Sequence, residues 1–140
     1  MAFVADASVV AAWLLPDEDD ALSRAALQAL RRDKVVAPAI LWFEVRNVLI
    51  VSERRGRLDE ARTRKAISIL AKLPIEIDRS PGDAELMRIA RRRQLTVYDA
   101  AYLELALRLD LPLATRDARL LKAAREEGAS LFDDAVKSSP

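Results

Sequence analysis

The 140-residue chain contains no cysteine and no histidine. Those absences remove thiol nucleophiles, Ser-His-Asp triads, disulfide frameworks and zinc sites built on thiolate or imidazole. Acid–base or metal chemistry falls to carboxylates, which favour hard, oxygen-binding cations such as Mg2+ or Mn2+. Uncharged apolar runs are also short, and none approaches the roughly 18 residues that a membrane helix needs. The opening MAFVADASVVAAWLL lacks the basic start and A-x-A exit of a signal peptide, and Asp6 interrupts its apolar segment. These features predict a soluble, cytoplasmic protein with no membrane partner. Nor is there an excess of one charge: 23 Lys and Arg stand against 22 Asp and Glu, a net of +1. Partners must therefore be sought in local patches.

What is present is a core-forming composition, 51% apolar, at the length of one domain. Neither an internal repeat nor a low-complexity linker divides it. Phe3-Val4-Ala5, Val35-Val36-Ala37, Ile75-Glu76-Ile77, Leu113-Ala114-Thr115 and Ser130-Leu131-Phe132 read as short strands. Between them, helical patterns run over Ala7–Leu15, Asp17–Arg32, Ala39–Arg55, Asp59–Leu73, Ser80–Arg93, Tyr98–Leu109 and Ala118–Glu127. Short strands alternating with helices predict βαβ units. The expected fold class is α/β, a three-layer α/β/α sandwich around a central parallel sheet. One domain is expected over residues 1–132, with 133–140 as a flexible C-terminal tail.

In open α/β sheets, ligands bind beyond the carboxyl ends of the strands where strand order reverses. Asp6 ends the first strand, Asp117 lies just past the strand at Leu113, and Asp99 sits in the first turn of the helix before that strand. Each also has an ordinary reading as a helix N-cap, worth about 1 kcal/mol. Glu44 is harder to dismiss, because Ile40, Leu41, Trp42, Phe43, Val45, Val48, Leu49 and Ile50 crowd it. A carboxylate there must be exposed, ion-paired or functional. Asn47, three residues on, shares its helix face. Four acids at one rim repel one another unless a divalent cation neutralises them, and such a cation suits hydrolysis of a phosphodiester.

These residues carry a family resemblance. FVADAS with VVAAWLLPDE, then APAILWFEVRNVL, then TVYDAAYLELALRLDLPLATRDARL, in that order and over almost the full length, resemble the PIN-domain ribonucleases. Within them the chain is similar to the VapC-type toxins of bacterial toxin–antitoxin pairs. The resemblance implies a PIN-like fold and an Mg2+- or Mn2+-dependent endoribonuclease in which Asp6, Glu44, Asp99 and Asp117 are the catalytic acids. Asp6, Asp99 and Asp117 would hold the metal, and Glu44 would act on the attacking water or help position a second ion. Ser8 and Thr115 match the small hydroxyls that support the acidic rim, and Asn47 matches the E-x-x-N helix. The resemblance further implies an RNA substrate, a homodimer, and a cognate antitoxin whose tail enters the acidic groove.

Arg116, beside Asp117, is the residue expected to bind RNA. Arg54, Arg55, Arg57 and Arg91 to Arg93 are further candidates, against a reading as solvated helix faces paired like Glu104 with Arg108. Trp42 and Phe43 belong either to the core or to a protein–protein surface. Rival readings are a receiver domain with Asp78 as phosphoacceptor, a haloacid-type phosphatase weakened by D-x-S at its nucleophile, and a non-catalytic PIN-like binding module.

Overall fold

Phe3, Val4 and Ala5 have no polar side chain to turn towards water, and both faces of their strand are buried. This run is β1 (Ala2–Ala5), and it pairs in parallel with the equally apolar β2 (Lys34–Pro38), Phe3 opposite Val35 and Val4 opposite Val36. β3 (Ile75–Asp78) alternates apolar and acidic residues and lies at an edge, while the two-residue β4 (Leu113–Ala114) pairs with the other side of β1. The sheet is parallel throughout, in the order β3-β2-β1-β4. The structure, a computed structural model, describes residues 1–132.

Seven helices flank the sheet among the described residues: α1 (Ala7–Leu14), α2 (Ala21–Ala29), α3 (Ile40–Arg54), α4 (Glu60–Leu70), α5 (Asp83–Arg93), α6 (Val97–Leu109) and α7 (Ala118–Glu126). α1 packs on α2 and α3, and α3 on α4; α6 packs on β1 and β2 and carries α5 and α7. This is the expected α/β/α arrangement. The main apolar cluster joins both inner strands to α1, α3, α6 and α7, and a smaller one, Leu15, Leu49, Leu58 and Ala66, fills the space under α3 and α4. No helix among the described residues is long and apolar enough to cross a membrane.

Several boundaries differ from the sequence reading, each for a local reason. The helix predicted over Asp17–Arg32 begins at Ala21, because Asp20 N-caps it through the Ser23 N–H at 2.9 Å. The acidic residues before it are thereby free to reach elsewhere. The Ser80-Pro81 start moves to Asp83, where the Gly82 N–H is anchored on Glu104 Oε1 at 3.2 Å. α4 stops at Leu70 rather than Leu73. The last predicted strand shrinks to one parallel bridge, Leu131 with Leu113, while the Phe132 ring packs on Phe3 at 4.7 Å. The tail expected over 133–140 lies outside the described residues.

The strand order also decides between architectures. β2 and β4 flank β1 on opposite sides, so the order reverses at β1, and the loops after β1 and β4 leave the same end of the sheet side by side. Asp78, the phosphoacceptor of the receiver reading, sits at the far edge and is held by Arg108 at 2.6 Å. It has no place in the central acid group.

Candidate active site

Asp6 leaves β1 in an extended conformation and N-caps α1, accepting from the Val9 N–H at 3.2 Å. The same oxygen, Oδ1, accepts from the Ser8 hydroxyl at 2.6 Å, and Oδ2 accepts from the Thr115 hydroxyl. Those hydroxyls are engaged in turn: Ser8 Oγ accepts from the Arg116 N–H at 3.0 Å, and Thr115 Oγ1 from the Asp117 N–H at 3.0 Å. The D-x-S and T-x-D spacings therefore form a clasp that ties the loop after β1 to the loop after β4. The clasp fixes Asp6 and Asp117 relative to each other. Burial pushes the Asp6 carboxyl above its ordinary value, and the nearby Asp117 charge adds to that, while the hydroxyls and the Val9 N–H oppose it.

Asp117 caps α7, its Oδ1 accepting from the N–H groups of Arg119 (2.9 Å) and Leu120 (3.1 Å). Capping and membership of the rim are compatible, because the cap engages one oxygen. Asp99 is released from capping altogether. The N-cap of α6 is Thr96, whose hydroxyl accepts the Asp99 N–H at 3.1 Å. Partial burial, then the Asp117 charge, raise the Asp99 carboxyl, and Arg119 pulls it back in part.

Glu44, in the second turn of α3, is half-buried and has no arginine partner among the described residues. Its Oε1 accepts from the Tyr102 hydroxyl at 2.6 Å. Desolvation raises its carboxyl first, and the charges of Asp99 and Asp6 raise it further. The fields thus link Asp6 with Asp117, Asp117 with Asp99, Asp99 with Glu44, and Glu44 with Asp6. All four acids share one rim, yet among the described residues no three of them close into a formed ligand group. They are carboxylates in one another's field, with no lysine or arginine bonded to any of the four among the described residues.

Tyr102 escaped the sequence reading. It lies three residues after Asp99 on the same face of α6 and is buried, and a buried tyrosine hydroxyl needs a partner. That spacing was the available signal. Asn47 does not join Glu44: it is exposed and makes no side-chain hydrogen bond among the described residues. Arg116 stands beside the rim as expected, but its guanidinium is engaged by Glu18 at 2.8 Å and Asp20 at 2.9 Å. Arg57 is similarly held by Asp17 and Glu18, and Arg93 by Glu126 and Glu127. Arg54, Arg55, Arg91 and Arg92 have no ion-pair partner among the described residues. Glu104 is not the solvated residue expected of it; it is buried and held by Arg108 at 2.7 Å. Trp42 and Phe43 leave the core. They are exposed, 5.1 Å apart edge to face, with the Arg46 guanidinium 3.5 Å over the indole.

An open parallel sheet with acids gathered at its order reversal defines a class, and the PIN domain model matches residues 3–126. The chain belongs to the PIN-domain family. Within it, the chain is of the VapC type: it is 38% identical over 106 residues to Ribonuclease VapC1 of Mycobacterium tuberculosis, covering 72% of this chain and 77% of that protein. It is 34% identical over 99 residues to Exonuclease VapC9 of Pyrobaculum aerophilum, covering 70% and 71%. Among solved structures it is similar to PAE2754 from Pyrobaculum aerophilum, with a TM-score of 0.70 and 26% identity over 98% of this chain and 88% of that one. FitAcB from Neisseria gonorrhoeae shares the fold at a TM-score of 0.65 and 20% identity, covering 94% and 96%.

Proposed function

We propose that the protein is a metal-dependent endoribonuclease, the toxin half of a type II toxin–antitoxin pair, that hydrolyses RNA phosphodiester bonds. The observation that carries this reading is the gathering of four carboxylates at one rim, Asp6 and Asp117 tied together through Ser8 and Thr115, with no cation bonded to any of the four among the described residues. An enzyme of this charge arrangement wants a doubly positive partner, and the donor set is all hard oxygen, which fits Mg2+ or Mn2+. The curated relatives named as a ribonuclease and an exonuclease support the same reaction class.

Asp6, Asp99 and Asp117 would hold the ion, directly or through its waters. When bound, the ion supplies Lewis acidity at the phosphate and lowers the pKa of bound water. The chain's own groups do the rest. Ser8 and Thr115 donate to Asp6 and so keep its carboxylate aimed at the rim. Tyr102 fixes Glu44 through Oε1, leaving Oε2 to orient the attacking water and take its proton. Asp117 keeps one oxygen on its cap, which leaves the other to act at the rim. Arg116 would reach an RNA phosphate by exchanging Glu18 and Asp20 for it, and until then it braces the loop beside Asp117.

An antitoxin and a second copy of the chain are the protein partners this reading supplies. The exposed Trp42–Phe43 pair with Arg46 has the aromatic and arginine character of an interface centre. The test is incubation of a mixed RNA pool with Mg2+ or Mn2+, for the parent and for Asp6→Asn. Cleavage by the parent that disappears with chelator and in the variant supports the proposal. A variant that cuts as well as the parent removes the site assignment, and a parent that binds RNA without cutting makes the protein a binding module.

A further inference from the structure

A second charged region adjoins the rim, in a cleft of about 330 Å3 between the end of α5, the α5–α6 loop and α7. Arg92, Arg93, Arg119 and Lys122 line it against a single acid, Glu126. Arg93 is already neutralised by Glu126 and Glu127. Arg92 and Arg119 have no ion-pair partner among the described residues, and Lys122 is 80% exposed with Glu126 no nearer than 4.0 Å.

An ordinary account does not cover all of these cations. Arg92 stands in the last turn of α5, where the helix dipole favours a positive charge. Arg119 stands in the first turn of α7, where the same dipole opposes a positive charge, and Lys122 follows one turn later at mid-helix. Arg119 gains nothing from the helix that carries it, and Lys122 gains only its contact with Glu126 at 4.0 Å, so the cleft holds positive charge that the chain itself does not fully use. Its lining also neighbours the acid group along the chain. Asp117 precedes Arg119 by two residues and Lys122 by five, about 7.5 Å along the helix axis. The loop that lines the cleft at Gln94 and Leu95 leads straight to Thr96 and Asp99. Arg119 acts on both sides, since its charge is felt by the Asp99 carboxyl.

We propose that this cleft is a phosphate subsite that holds the RNA backbone next to the bond being cut, with Arg92, Arg119 and Lys122 as the phosphate-binding cations. The assignment rests on the nuclease reading of the adjacent acids and adds the path of the strand to it. An acidic metal centre needs such a neighbour, because without its ion the rim repels the polyanion it must receive. An exposed single strand is the favoured occupant over an acidic protein segment, because Arg119 lines the cleft two residues after Asp117, so a phosphate held there lies next to a bond at the acids.

The test is the double variant Arg92→Gln/Lys122→Gln, which spares Arg119 because of its effect on Asp99. Binding of a fluorescently labelled single-stranded RNA is measured by anisotropy in an Asp6→Asn background, across a series of salt concentrations. The expected result is about a tenfold rise in Kd and a salt slope shallower by about 1.4, for two lost phosphate contacts. Cleavage by the same double variant with Asp6 intact should show KM raised about tenfold and kcat within twofold of the parent. The pair Arg31→Gln/Arg32→Gln removes equal charge at the opposite end of the sheet, and it should move neither Kd nor the slope. Unchanged RNA binding in the cleft variant, or an equal loss in the control pair, overturns the subsite. Loss of binding to a poly-glutamate peptide with RNA binding intact overturns it in favour of an acidic protein segment. Failure of the nuclease reading is seen separately, as a parent that does not cut RNA with metal present.

Discussion

Two buried acids, Asp6 and Glu104, show how differently one small fold can treat a carboxylate. Glu104 is 3% exposed and Asp6 5%. Glu104 meets Arg108 at 2.7 Å, and that guanidinium reaches on to Asp78 at the end of β3, so the group stitches α6 to the sheet edge and to the start of α5. Its charge is cancelled within the chain. Asp6 receives two hydroxyls and one backbone N–H, which orient it without cancelling its charge, and its charged neighbours are acids. Glu104 is therefore neutralised within the chain, whereas Asp6 carries the cost of a buried charge among other acids. Stability and function are separated by where the chain spends its arginines.

The sharpest way to break the comparison is to neutralise each acid's surroundings in turn. Asp6→Asn should lower RNA cleavage about a thousandfold, the scale of losing a preorganised charge at a reaction centre, while circular dichroism shows an intact fold. Arg108→Leu should do the reverse. Leaving Glu104 buried without its partner costs about 3–5 kcal/mol, read as a fall in thermal midpoint of about ten degrees or more, with metal-dependent activity retained in the folded fraction. If Arg108→Leu is as stable as the parent, the stitching role of this group is wrong.

Glu44→Gln sharpens the same point within the rim. It should cut activity about a hundredfold and yet raise the metal-free melting temperature by a few degrees, since it removes one of four repelling charges while keeping an acceptor for Tyr102. A lowered melting temperature contradicts the claim that the rim is held against its own repulsion. Tyr102→Phe, which frees Glu44 without removing it, should reduce kcat by about tenfold, as expected for the loss of a group that orients a catalytic residue.

The paired acids predict a pH response of smaller size. Arg108 holds Asp78, and Arg88 with Arg93 holds Glu127, below the usual carboxylate range. A depressed folded-state value means stability that is present above the unfolded-state value, near 4, and is lost as pH falls through the folded one. Urea midpoints should therefore decline as pH falls below about 4, and Arg88→Gln should flatten that decline. An unchanged acid limb in Arg88→Gln shows that Arg88 does not hold Glu127 down.

The fold was legible because its signals are local. Continuous apolar triplets such as Phe3-Val4-Ala5 mark strands buried on both faces, and acids placed just after them fall at the sheet's carboxyl end once the strand order is parallel. Asp6 and Asp117 were legible for the same reason, while Asp99 stood out by its place in the first turn of a helix and Glu44 by the apolar residues that crowd it. What escaped were relations across the chain. The Asp17–Arg32 pattern reads as one helix, because nothing local reveals that Glu18 and Asp20 will engage Arg116, nearly a hundred residues away. Asn47 reads as a partner of Glu44 by its spacing, but it is exposed, and Glu44 is bonded instead by Tyr102 from a different helix. Trp42 and Phe43 look like core in composition, and only the packing of α3 through Leu41, Val45 and Leu49 shows that the opposite face carries them outward.

The most direct measurement of the central claim is a calorimetric titration of Mn2+ into the parent and into Asp6→Asn, paired with thermal melts at saturating ion. Four carboxylates that lack a cation of their own should take up the ion and gain about 2.7 kcal/mol of stability at a hundredfold excess over Kd, and the Asp6 variant should show neither heat nor shift. Equal binding by both proteins, or no binding by the parent, contradicts it.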